Sequence, residues 1–145
     1  MRTWTIIMAV LLCSLITLPS CDSLGPNQDL KFLADYQKNP DGTITFILTI
    51  RNEGSKTLDL VSATSQIYDI EVYQEPGILV WNWAYGRAFL TIITTVTLQP
   101  GEQKIYRENW EVRSNQGDPL PPGTYKVRAR LVTDPSASYQ FELTI

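Results

Sequence analysis

An all-β chain, folded as an immunoglobulin-like antiparallel β-sandwich, is predicted by three features of the sequence. Apolar and polar residues alternate with a period of two, turn dipeptides recur between the alternating runs, and Pro122-Gly123-Thr124-Tyr125 has the form of a tyrosine corner. No stretch carries a convincing helical period.

The chain opens with a segment of a different kind. Met1-Arg2 supplies a positive charge, Ile6 to Leu18 is mostly apolar, and Pro19-Ser20-Cys21 follows, which is the layout of an export signal over residues 1–20. The apolar run is shorter than the roughly 20 residues that a bilayer-spanning helix needs. Leu18-Pro19-Ser20-Cys21 resembles the bacterial lipobox, and that resemblance implies diacylglyceryl attachment to the Cys21 thiol, with the domain held at the extracytoplasmic side of a bacterial membrane. Cys13 lies inside the apolar run behind Leu12, a residue too large for the position before a processed cysteine, and leaves with the signal. No intramolecular disulfide is then available.

Residues 21–29 read as a lipid-anchored tether, polar and broken by Gly25-Pro26-Asn27, and residues 30–145 as one domain. Its strands are expected in order. Leu30 to Tyr36 comes first. Thr43 to Asn52 alternates Ile44, Phe46, Leu48 and Ile50 against Thr45, Thr49 and Arg51, and Asn52-Glu53-Gly54 turns the chain. Lys56 to Val61, Gln66 to Gln74, Ile78 to Trp83, Phe89 to Leu98 and Gln103 to Val112 follow, with Pro76-Gly77 and Pro100-Gly101 among the turns. The last two runs place Tyr125, Val127, Ala129 and Leu131, then Tyr139, Phe141, Leu143 and Ile145, on one face.

Composition removes several chemistries. The chain has no histidine, so the commonest general base and metal ligand is missing, and no acidic cluster of calcium-binding form or Gly-rich phosphate loop appears. The reading is of a protein that is not an enzyme, with no catalytic residue, metal or cofactor. Twelve basic against fifteen acidic residues give a net charge of −3, and the signal removes one further positive charge, Arg2, which argues against nucleic acid as a partner.

Individual residues are assigned by strand face. Trp81 and Trp83, with Leu79, are expected in the core, and Asn82 opposite them as a surface residue or a hydrogen-bonding partner rather than a catalyst. Gln66 and Tyr68 share a face with Ile70 and Val72, so their polar groups should be tied to a neighbouring turn, while Asp69 and Glu71 are expected outside as solvated charges. Lys126, Arg128 and Arg130 form a basic stripe, read as a solvated face with Glu142 opposite. The tip carrying Tyr85 and Arg87 and the Pro-stiffened loop Ser114 to Pro122, with Gly117, Asp118, Pro119 and Leu120, are the segments chosen for contact with a protein partner.

Several of these residues also form an ordered set of motifs: Ser65-Gln66-Ile67-Tyr68-Asp69, Gly77 with Val80-Trp81-Asn82-Trp83, Gly86 with Phe89, Pro100-Gly101-Glu102, Trp110, and Pro122-Gly123-Thr124-Tyr125. In order and spacing they resemble the BsuPI domain, the bacterial intracellular proteinase inhibitor family, over roughly residues 44–132. Ala84 replaces the usual serine after the second Trp, and Leu90-Thr91 stands where the family often has Thr-Gln. The resemblance implies a sandwich-like domain that binds and inhibits a serine protease, with Gln66, Tyr68, Asp69, Trp81, Trp83, Phe89, Trp110, Gly123 and Tyr125 as structural motif residues. The alternative expectation is an envelope adhesion or assembly module that uses the same sandwich without inhibiting anything.

Overall fold

A computed structural model describes residues 28–145. The expected signal, Cys21 and the expected tether as far as residue 27 lie outside the described residues. Those described form nine strands: β1 (Leu30–Lys38), β2 (Ile44–Asn52), β3 (Leu58–Ser62), β4 (Tyr68–Gln74), β5 (Ile78–Asn82), β6 (Thr94–Leu98), β7 (Gln103–Trp110), β8 (Thr124–Leu131) and β9 (Ser138–Thr144). All pairings are antiparallel.

One sheet has the order β1-β2-β7 and the facing sheet β5-β4-β8-β9, while β3 and β6 form a separate pair. This is the strand pairing of an immunoglobulin-like sandwich. The tyrosine corner confirms it: Tyr125, at the start of β8, donates its hydroxyl to the Pro121 carbonyl at 2.7 Å.

Alternation on β2 and β8 puts Ile44, Phe46, Leu48 and Ile50 against Tyr125, Val127, Ala129 and Leu131, all buried. Each large aliphatic or aromatic side chain so buried stabilises the fold by roughly 1.5–3 kcal/mol. Aromatic rings close the gap between the sheets, with Phe46 stacked on both Trp81 and Trp110 and Tyr36 stacked on Phe141. The inward face of β2 ends on a polar residue. Asn52 is wholly buried, and it builds the turn by donating to the Lys56 and Leu98 carbonyls and accepting from the Gly54 amide.

The structure corrects four sequence expectations here. Leu79 does not share the tryptophan face. An irregularity between Val72 and Tyr73 pairs Trp81 with Val72 and Leu79 with Tyr73, so Val80 is an extra residue and the alternation restarts after it. Leu79 is consequently exposed while Trp81 packs inward. The strand expected from Phe89 begins only at Thr94, because its partner β3 stops at Ser62. There the Ser62 hydroxyl donates to the Gln66 carbonyl and accepts from the Thr64 amide, turning the chain away.

The third correction concerns Asp69 and Glu71, which are buried rather than solvated. Register places Asp69 opposite Arg130 and Glu71 opposite Arg128, so the basic stripe of β8 lies over the carboxylates of β4. Glu142 faces only Lys126, whose ammonium bonds Glu75 at 2.7 Å. Finally, Gln66 is half-buried and bonds the Tyr68 carbonyl, while the Tyr68 hydroxyl reaches Glu108 on the opposite sheet instead of a neighbouring turn.

Candidate partner-binding site

Asp69 is the hub of the motif residues. Its Oδ1 accepts from the Ile70 amide and from Asn82 Nδ2, both at 2.9 Å, and from the Ala84 amide at 3.3 Å. Its Oδ2 accepts from Asn82 Nδ2 at 3.0 Å and from Arg130 Nη2 at 3.1 Å. One buried carboxylate therefore fixes the end of β5 and the first residue of the tip that follows. Of the two roles the sequence left to Asn82, surface residue or hydrogen-bonding partner, it takes the second.

Above this hub sits an aromatic group spanning both sheets. The Tyr68 ring lies 4.8 Å from Trp83 and 4.7 Å from Tyr106 between centroids, and Phe89 also packs on Trp83, at 5.8 Å. Trp83 Nε1 is buried and has no hydrogen-bond partner among the described residues. Burial, reinforced by the hydrogen bond and the charge of Glu108, pushes the Tyr68 phenol well above its ordinary value, so the neutral form is held. Glu108 was not singled out from the sequence. Its inward position follows from the pairing with Phe46, since β7 alternates Tyr106, Glu108 and Trp110 toward the core.

The structure ties together both segments chosen for partner contact. Tyr85 is exposed, but Arg87 is engaged: its Nε donates to the Trp83 carbonyl at 2.9 Å and its guanidinium lies 4.3 Å from the Trp83 ring centroid. The second segment closes on itself. Ser114 N donates to Asp118 O, Arg113 Nη1 to Gly117 O and Leu120 N to Val112 O, while Arg113 and Pro119 form an isolated bridge. Gly117 has a positive φ of 92°, which its lack of a side chain allows, and Val112 sits at φ 61°, a strained conformation for a β-branched residue.

Asn115 clamps this loop to β5, accepting from the Asn82 amide at 2.8 Å and donating to the Asn82 carbonyl at 3.1 Å. Asn82 is thus the common anchor of both segments. Gly117, Asp118 and Pro119 remain exposed, and Leu120 packs partly against the core.

A third segment was missed as a surface because it was read as strand. Leu90, Ile92 and Ile93 are 66%, 53% and 78% exposed. Leu90 is pinned by Ser65, whose amide donates to the Leu90 carbonyl at 3.0 Å and whose hydroxyl accepts from the Leu90 amide at 2.9 Å. No local signal reveals this, because the limit is set by the pairing: a partner strand that turns at Ser62 cannot pair residues before Thr94. Among the described residues, no group of three or more His, Cys, Asp or Glu side chains is placed to hold a metal ion.

Solved structures with a similar course of chain include the CARDB domain of a Pyrococcus furiosus protein in complex with di-metal ions. It is 18% identical, with 80% of this chain and 91% of that one covered at a TM-score of 0.44. A Listeria innocua beta-glucosidase in complex with glucose is 14% identical at a TM-score of 0.41, with 79% of this chain covering 16% of that one. No curated protein matches the sequence. The family model described as BsuPI, intracellular proteinase inhibitor, matches residues 30–136, from the first residue of β1 to the turn before β9. With most of its length inside that match, the chain belongs to the BsuPI intracellular proteinase inhibitor family.

Proposed function

We propose that this protein is a membrane-anchored, extracytoplasmic binding module that inhibits a serine protease and is not itself an enzyme. The observation that carries the reading is the family match over residues 30–136 in a chain whose first 21 residues have the form of an export signal and a lipid attachment site. Exported inhibitor and lipid-anchored domain combine into a module that acts on proteases at the cell surface. The geometry is compatible with this role. A stiff sandwich presents loops fixed by Asp69, Asn115 and Ser65, and a pre-fixed loop loses less entropy when a partner seats on it.

The full chain, purified in detergent and titrated into a panel of bacterial serine proteases, should form a stoichiometric complex with at least one and abolish its activity while remaining uncut. Rapid digestion of the chain with every protease left active would sink the inhibitor role. That result, combined with a specific crosslinked protein partner in the intact envelope, would favour the assembly module instead.

A further inference from the structure

Between Pro76 and Gly101 the chain contains no Asp, Glu or Lys, and its one charge, Arg87, is engaged with Trp83. Elsewhere among the described residues acidic and basic residues are spread through the sequence. The six most exposed large apolar side chains of the described residues all lie in this window: Ile78, Leu79, Tyr85, Leu90, Ile92 and Ile93. Depletion of charge with enrichment of apolar and aromatic residues is the composition of the buried centre of a protein interface. Three of the six, Leu90, Ile92 and Ile93, lie within four residues on the loop before β6; exposing such residues together has a cost in solubility, and the usual reason is a partner.

We propose that Leu90-Thr91-Ile92-Ile93 is the segment that enters the substrate cleft of the target protease, its apolar side chains filling pockets of apolar specificity. This rests on the inhibitor reading above. Three features fit the segment to that occupant. It is held on both sides, by the Ser65 bonds and the Phe89 ring packed on Trp83 before it and by the Thr94–Ser62 pairing after it. It is non-helical and unpaired with any strand, so Ile92 and Ile93 can be received by a cleft that binds extended chains. And its fixed ends keep a cleaved or strained loop in place, which separates an inhibitor from a substrate.

A lipid surface is the less suited occupant. Domain entry at Leu30 is paired with Asn52, and Asn52 bonds the Leu98 carbonyl, so the Leu98 end of β6 is the end next to the tether. The proposed segment leads into the opposite end of β6, at Thr94, about 13 Å away along the strand. It also offers no free Lys or Arg to an anionic headgroup.

The test compares the wild-type chain with Leu90→Asp, Ile93→Asp and, as a surface control on the other sheet, Ile105→Asp, each checked for an unchanged melting temperature. Against a protease that the wild type inhibits, Leu90→Asp and Ile93→Asp should weaken inhibition about 10- to 100-fold, the range expected when a charge replaces an apolar group in a desolvated pocket. Ile105→Asp should inhibit like the wild type. Equal inhibition by all four would overturn the assignment of this segment while leaving the inhibitor reading standing. If the wild type inhibits no protease, both fall; quenching by brominated lipid of a fluorophore at position 93 in reconstituted vesicles would then assign the segment to the bilayer.

Discussion

Replacing Asp69 by alanine removes the acceptor around which the motif residues are arranged, and the structure sets the size of the effect. Two kinds of interaction disappear. The bond to Arg130 is the weaker, because that side chain is 44% exposed and regains water; it contributes about 0.5–1 kcal/mol. The donors left behind matter more. Asn82 Nδ2 loses both oxygens, retaining only a long 3.4 Å approach to the Ile70 carbonyl, and the Ala84 amide loses its partner. Leaving such donors part-buried costs roughly 1–3 kcal/mol each.

These contributions bracket about 2.5–7 kcal/mol, and the middle of that range, about 3–5 kcal/mol, is what breaking a buried ion pair from one side costs in general. For a domain of this size that lowers the melting temperature by about 10–20 °C. Calorimetry of the purified variant measures it. A double-mutant cycle then tests the mechanism: Asn82→Ala should destabilise by about 1–2 kcal/mol alone but by much less in the Asp69→Ala background, since its partner is already gone. Additive effects, or an Asp69→Ala variant within about 0.5 kcal/mol of wild type, would refute the hub.

Three further outcomes are expected. Tyr125→Phe keeps the ring in the core but deletes the bond to Pro121 O, and should lower stability by about 0.5–1.5 kcal/mol, read as a lower urea midpoint with unchanged slope. The Tyr68 pKa is raised on folding, so the proton is bound more tightly in the native state; the associated stability is fully present below the unfolded value near 10 and is lost as pH rises through the higher native one. Ultraviolet difference titration of wild type against Tyr68→Phe should therefore show one phenol that ionises only with alkaline unfolding. Cys21→Ala should abolish acyl labelling and release a folded domain from the membrane; full membrane retention of the variant would remove the lipid anchor from the proposal.

The sequence made the strands legible where period alone decides. β2, β8 and the tyrosine corner carry their faces openly, because each alternating residue meets the opposite sheet. What it hid depends on partners far along the chain. Nothing local to Asp69 or Glu71 announces burial; it comes from the pairing of β4 with β8, which brings two arginines across. Leu79 was misplaced because one extra residue, Val80, restarts the alternation. Ile92 and Ile93 have the side chains of a strand and none of its partners. For the candidate site, Tyr85 and the Ser114 to Pro122 loop were visible from their turn residues, whereas their common anchor on Asn82 rests on contacts from Asn115, thirty-three residues away.

The stacked aromatics have a practical consequence. Beyond the N-terminal segment the chain has three tryptophans, Trp81, Trp83 and Trp110, and Trp83 touches Arg87 of the tip and Phe89, which precedes the Leu90 segment. Trp81 and Trp110 lie 5.3 Å apart and pack with Phe46 instead. The protein thus carries a built-in optical reporter. With Trp81 and Trp110 replaced by phenylalanine, emission from the remaining indole would follow the seating of any partner on the loops above it, in real time and without an added label.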